Sequence, residues 1–247
     1  MKKNIIFEAV EFENVKQIIY NSAKKYENQI AFVIKHQENK KVSYENITYK
    51  QFLEDINKFG TALYNMGLKG KRVAIIGKNR YEWVLAHFAN LLGAIVSVPL
   101  DKDLQYDELE SSIIRSKADC IIFDEKLEEK IKKIKNENKT YLTNYICMSE
   151  MEGYKNVKEL VTEGEKLLKE GKDEYINAQI DENKMNIILF TSGTTSKSKA
   201  VMLSQKNIAS NIYAMQCVED IRSTDTNIAF LPFHHIFGST CMAMMIA

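Results

Sequence analysis

The sequence predicts an α/β fold, with parallel sheet flanked by helices. Three features of the 247-residue chain carry that expectation. Short apolar runs rich in β-branched residues alternate with amphipathic stretches of helical length between residues 72 and 124, the pattern of strand–helix–strand units whose strands are buried on both faces. The connections are long enough for right-handed crossovers. Finally, polar constellations in the last third directly follow apolar runs, and open α/β sheets hold ligands beyond the carboxyl ends of their strands.

The elements follow in order. "AFVIKHQENKKVSYENITY" holds two strand-like pieces around a polar turn and predicts a hairpin. Thr48-x-x-Gln51 has capping-box spacing, and Tyr49, Phe52, Leu53, Ile56, Phe59 and Leu63 share one helical face. Gly67 and Gly70 end that helix, and "KRVAIIG" reads as a buried strand. Asn79-x-x-Glu82 is expected to cap a second helix, "RYEWVLAHFANLLGA", before the strand "IVSVPL". A third helix carrying Tyr106, Leu109 and Ile113 leads to the strand "CIIFD". "EKLEEKIKKIKNENK" has a thin stripe at Leu127, Ile131 and Ile134, as a solvated surface helix does. "YLTNYICMS" is a further strand, and residues 156–172 form an exposed helix ended by Gly171. Two strand-then-loop units close the chain: "NIILF" into "TSGTTSKSK", and "NIAFLP" into "FHHIFG".

Composition narrows the function classes. Hydrophobic residues at 45% and charged residues at 27% are those of a globular chain, and a net charge of +1 gives no bulk attraction to nucleic acid. The longest greasy segment, "VLAHFANLLGAIVSVPL", is interrupted by His87, Asn90 and Pro99 and falls short of the roughly 20 residues a spanning helix needs. Peripheral membrane contact stays open. Cys120, Cys147, Cys217 and Cys241 lack C-x-x-C spacing, so reduced thiols and a cytoplasmic setting are expected. The acids of the opening stretch do not suit a signal peptide. "FGSTCMAMMIA" stops inside an apolar run, so the chain is expected to be the first part of something longer.

The loop of residues 191–199 carries the chemistry. Amides around Gly193 can form an anion-binding concavity, since glycine reaches positive φ and lets main chain approach a ligand. The hydroxyls of Thr191, Ser192, Thr194, Thr195, Ser196 and Ser198 can donate to phosphate oxygens, and Lys199 adds a mobile positive charge. A plain polar surface loop has the same composition. A Walker-type loop does not fit, because one glycine is present and the loop runs into strand-like "AVML". Ser196-x-x-Lys199 matches the spacing of serine acylases, but neither S-D-N nor K-T-G accompanies it. No G-x-G-x-x-G occurs. His234 and His235, read as neighbours in an extended segment, point to opposite sides and make a poor metal chelate.

With Thr191, Ser192, Gly193, Thr194, Thr195, Lys199 and Val201 in register, the loop resembles the T-S-G-T-T-G-x-P-K-G-V segment of adenylate-forming (AMP-binding) enzymes. It departs at Ser196, Ser198 and Ala200. "LPFHHIFG" resembles the family's L-P-x-x-H-x-x-G, "NITYKQF" its L-T-Y-x-E-L, and "GKNRYEWVLAHFANLLGAIVSVPLD" the N-R-x-E-W run of long-chain fatty acid–CoA ligases. The resemblance implies the layered αβαβα large domain of that family, truncated. Residues 1–180 or so would form a first subdomain, and residues from about 181 to 247 the start of a second one bearing the phosphate loop. It implies ATP, Mg2+ and coenzyme A, with a carboxylic acid converted to an acyl-adenylate and then to a thioester. Thr191, Ser192, Gly193, Thr194, Thr195, Ser196 and Lys199 would bind nucleotide, Thr191 would share the magnesium, and Lys199 and His235 would act in catalysis. The family's later segments are absent, so this stretch alone is expected to be inactive. The alternative is a module that binds nucleotide or acyl ligand without turnover.

Overall fold

A computed structural model describes residues 6–39, 41–191 and 198–247. Helix α1 (Val15–Lys25) starts at Asn14, whose side chain accepts from the Gln17 amide. Strands β1 (Ile30–Glu38) and β2 (Lys41–Thr48) form the expected antiparallel hairpin. Helix α2 (Tyr49–Asn65) begins with a true capping box: Gln51 N–H donates to Thr48 Oγ1, and Thr48 N–H donates to Gln51 Oε1. Gly67 and Gly70 then turn the chain at φ of 78° and 68°, which a side chain would resist.

The sheet is assembled from β3 (Arg72–Ile76), β4 (Val96–Leu100), β5 (Cys120–Phe123), β6 (Asn144–Cys147), β7 (Lys155–Asn156), β8 (Met185–Thr191) and β9 (Lys199–Ser204). Their spatial order is β7-β6-β5-β3-β4-β8-β9, all parallel except the β8–β9 pair. Intervening helices are α3 (Tyr81–Leu92), α4 (Tyr106–Ser116), α5 (Glu128–Glu137) and α6 (Val157–Lys169); α7 (Gln205–Gln216) and α8 (Ile236–Ile246) follow β9. Alternate strand residues serve opposite faces. Val73, Ile75, Cys120, Ile122, Ile187 and Leu189 pack with α1, α2, α3, α6, α7 and α8, while Ala74, Ile76, Ile121, Phe123 and Ile188 pack with α4 and α5. Both faces being covered is why these strands read as continuous apolar runs.

Strand β8 lies beside β4, so residues beyond 181 continue the same sheet. Gln205 ties them down: fully buried, it donates to Leu91 O at 2.5 Å and Asn186 Oδ1 at 2.8 Å and accepts from Val15 N–H at 2.9 Å. Among the described residues no helix is long and apolar enough to cross a membrane. Cys120, Cys147 and Cys217 are buried, Cys241 is half-buried, and none is in a disulfide.

Two local expectations fail. Asn79 does not cap α3: Arg80 occupies the N-cap and makes no side-chain capping bond, while Asn79 is engaged with residues 229–233. Nor is "NIAFLP" a strand. Residues 227–231 are irregular, with Ile228 80% and Phe230 76% exposed, because no strand among the described residues pairs with them.

His87 of α3 is buried against Ser97 of β4, sharing a 2.9 Å hydrogen bond. Burial pulls its pKa down from 6.5 to about 4. The unfolded chain therefore binds a proton that the fold refuses between these values. The stabilisation is complete above pH 6.5 and is lost as pH falls towards 4. We predict that this residue accounts for about 2 kcal/mol of lost stability between pH 7 and pH 5. Urea unfolding should show a pH slope in that window that His87→Gln flattens; equal slopes in the two proteins would refute it.

Candidate functional site

The β8–β9 hairpin carries the first candidate constellation. Thr191 ends β8 and Lys199 begins β9; they are Cα partners, and the Thr191 hydroxyl lies 3.5 Å from the Lys199 carbonyl oxygen. Directly opposed residues of an antiparallel pair project from the same face, so the Thr191 hydroxyl and the Lys199 ammonium share one side of the hairpin mouth. Both residues are exposed. Ser192, Gly193, Thr194, Thr195 and Ser196, expected to bind nucleotide, lie outside the described residues, as does Lys197. The stem beyond them is held by α4: Arg115 donates to Ser198 O at 2.7 Å and to Ser198 Oγ at 3.3 Å, and its guanidinium lies over the Phe190 ring at 5.2 Å. Sequence reasoning passed over Arg115, because its partner is 83 residues away.

The second constellation sits where residues 229–238 meet the carboxyl ends of β3 and β4. Phe233 is buried with its ring 5.4 Å from that of Trp83. His234 and His235 are not in the extended segment that their neighbours predict. They lie in a turn in which His235 N–H donates to Pro232 O at 3.1 Å, and His235 becomes the N-cap of α8, with Nδ1 accepting from Phe237 N–H at 3.3 Å. His235 is exposed. His234 Nε2 lies 3.6 Å from Asp101 Oδ2 at the end of β4. Burial lowers the His234 pKa, and the Asp101 carboxylate partly opposes that shift. Gly238 is explained by contact: a Cβ there would stand 2.2 Å from Pro232 O, a clash with rigid backbone. The spacing from Pro232 to Gly238 thus lets α8 start against its own preceding turn.

Arg80 of "NRYEW" stands among carboxylates. Arg80 pairs with Glu82 at 2.6 Å and Glu125 at 2.8 Å, and Ser149 donates to Glu125 at 2.8 Å. Burial pushes the Glu125 carboxyl up, but a backbone N–H, the Ser149 hydroxyl and the Arg80 charge together hold it below its ordinary range. Most α8 residues from Gly238 to Ile246 are buried, and Met242, Ala243, Met244 and Ile246 join the core on the α3 side of the sheet.

Magnesium takes hard oxygen ligands. Thr191 offers one hydroxyl, but among the described residues no group of three acidic, histidine or cysteine side chains stands ready to hold a metal. The described residues alone do not make a cation site.

Comparison with known proteins adds to this geometry. A family model described as AMP-binding enzyme matches residues 19–247. Fatty acyl-CoA synthetase A of Dictyostelium discoideum is 27% identical over 216 residues, spanning 84% of this chain and 32% of that protein. The mitochondrial medium-chain acyl-CoA ligase ACSF2 of Danio rerio is 27% identical over 81% of this chain and 36% of its own length. The chain thus spans about a third of these relatives. Among solved structures, a long-chain-fatty-acid-CoA ligase of Archaeoglobus fulgidus superposes with a TM-score of 0.81 at 19% identity, covering 97% of this chain and 46% of that one. A red-emitting luciferase of Phrixothrix hirtus does so with a TM-score of 0.77 at 21% identity, covering 97% of this chain and 46% of its own.

Proposed function

Because this chain belongs to the AMP-binding enzyme family, we propose that the whole protein activates a carboxylic acid, of the medium- or long-chain fatty class, and passes it to coenzyme A. Residues 1–247 would be the N-terminal part of its large domain, inactive without the remainder. The acid's carboxylate attacks the α-phosphate of ATP; the bond to the β-phosphate breaks, giving acyl-adenylate and pyrophosphate. The thiol of coenzyme A, losing its proton, then attacks the acyl carbonyl and expels AMP, leaving a thioester. Free thiols support a cytoplasmic setting.

One observation carries the reading: Thr191 and Lys199 stand opposite each other at the mouth of the β8–β9 hairpin, on the carboxyl end of a strand in the parallel stack. Negative charge gathering on departing pyrophosphate needs donors fixed in advance where it develops. A hydroxyl and an ammonium on one face suit that need, and Ser192, Gly193, Thr194, Thr195 and Ser196 follow Thr191 in the sequence. Magnesium would accompany the ATP, with Thr191 as one ligand. His235, exposed at the start of α8, would face the acid.

The test is ATP–pyrophosphate exchange by the whole protein with a panel of straight-chain, aryl and amino acids. Exchange that rises with medium- or long-chain fatty acids, followed by thioester formation when coenzyme A is added, is the expected result. Nucleotide binding without exchange for any acid would instead favour a non-catalytic binding module.

A further inference from the structure

Asn79 is employed where local sequence rules do not look. Its Nδ2 donates to Ala229 O at 2.9 Å and to Leu231 O at 2.7 Å, and its Oδ1 accepts from Phe233 N–H at 3.1 Å. A side-chain amide has two N–H donors and one carbonyl, so both donors are used on main chain about 150 residues away. The segment it grips is irregular and has no strand partner among the described residues. Asn79 therefore supplies bonds that a neighbouring strand would otherwise give.

The consequences run forward along the chain. Fixing the Phe233 amide seats its ring on Trp83. The next turn closes on Pro232 O, which accepts from His235 N–H and abuts Gly238. His235 then caps α8. Contacts thus follow one another from Asn79 through the segment, the ring seat and the turn to the His235 cap.

We propose that Asn79 is a positioning residue for His235, clamping residues 229–233 so that the acid-facing side of the site is held in register with the sheet. This rests on the functional reading above. His235 would meet the acid and not the nucleotide, so its displacement is expected to weaken the grip on the acid and leave that on ATP.

The experiment uses the whole protein, with the fatty acid giving the strongest exchange. Asn79→Ala should lower kcat/KM for that acid by roughly 10²-fold, mainly through its KM, while the KM for ATP stays within about twofold. Trp83 is the only tryptophan, so its emission should shift to the red as Phe233 leaves its seat. Asn79→Asp is nearly isosteric. It keeps an acceptor for the Phe233 amide but turns a carboxylate oxygen towards two carbonyls. Its activity should recover as pH falls and that oxygen gains a proton, a limb the wild type lacks. Wild-type acid KM and unshifted emission in both variants would overturn the proposal. So would acid and ATP parameters falling together in step with thermal stability. A wild type without exchange on any acid would count against the functional reading, while the emission arm would still decide whether the clamp exists.

Discussion

Replacing Lys199 by alanine in the whole protein is expected to slow ATP–pyrophosphate exchange by roughly 10²–10³-fold, comparable to losing one oxyanion donor. The position permits a clean reading. Lys199 is exposed, and what fixes its backbone is the ladder with β8 together with the Arg115 bonds to Ser198 just before it. Alanine removes a charge and leaves those bonds, so the fold should persist. The ammonium matters most when charge accumulates on the leaving pyrophosphate, so kcat should fall more than KM for ATP rises. Lys199→Arg keeps a cation but replaces a compact point charge with a planar fork, and should recover only part of the rate. Unaltered exchange in Lys199→Ala would remove this residue from the chemistry and, with it, the strongest reason for reading the hairpin mouth as a phosphate site.

Much of this architecture could be read from local pattern. The Thr48–Gln51 box, the Phe52–Leu63 face and the doubly buried strands each depend on neighbours a few residues away, and each formed as expected. What stayed hidden depends on distant partners. Asn79-x-x-Glu82 has the spacing of a helix cap, but three bonds to residues 229–233 outcompeted the one that a cap would have made. Similarly, "NIAFLP" has strand-like composition, yet a strand forms only where another offers its edge, and Ile228 and Phe230 face outward instead. Arg115 gave no signal at all, lying in an ordinary amphipathic helix. The motif register named Thr191 and Lys199 as candidates; that they face each other across a hairpin, and that His235 caps a helix, depends on pairings no local pattern shows.

Tyr175 sets the second large effect, one independent of the reaction. It lies in the connection after α6, outside any helix or strand, yet it is fully buried. Its ring fills a slot between two helices that only glycines leave open: a Cβ on Gly60 of α2 would stand 2.0 Å from the ring, and one on Gly93, just past α3, 2.3 Å. Its hydroxyl donates to Ala89 O at 2.8 Å, and the Tyr64 ring meets it edge-on at 5.2 Å. Burial drives the phenol pKa well upward, so it stays a neutral donor throughout the working range of pH. Tyr175→Ala would open a cavity whose walls are helix backbone and cannot close over it. The expected loss is about 3–5 kcal/mol, a fall in midpoint of roughly 10 °C for a chain of this size. Tyr175→Phe keeps the ring and forfeits one hydrogen bond, costing about 1 kcal/mol. Gly60→Ala should cost nearly as much as Tyr175→Ala, because the added methyl evicts the same ring. Combining Gly60→Ala with Tyr175→Ala should then cost far less than the sum of the two. Strictly additive losses in thermal unfolding would mean that the ring does not occupy the slot.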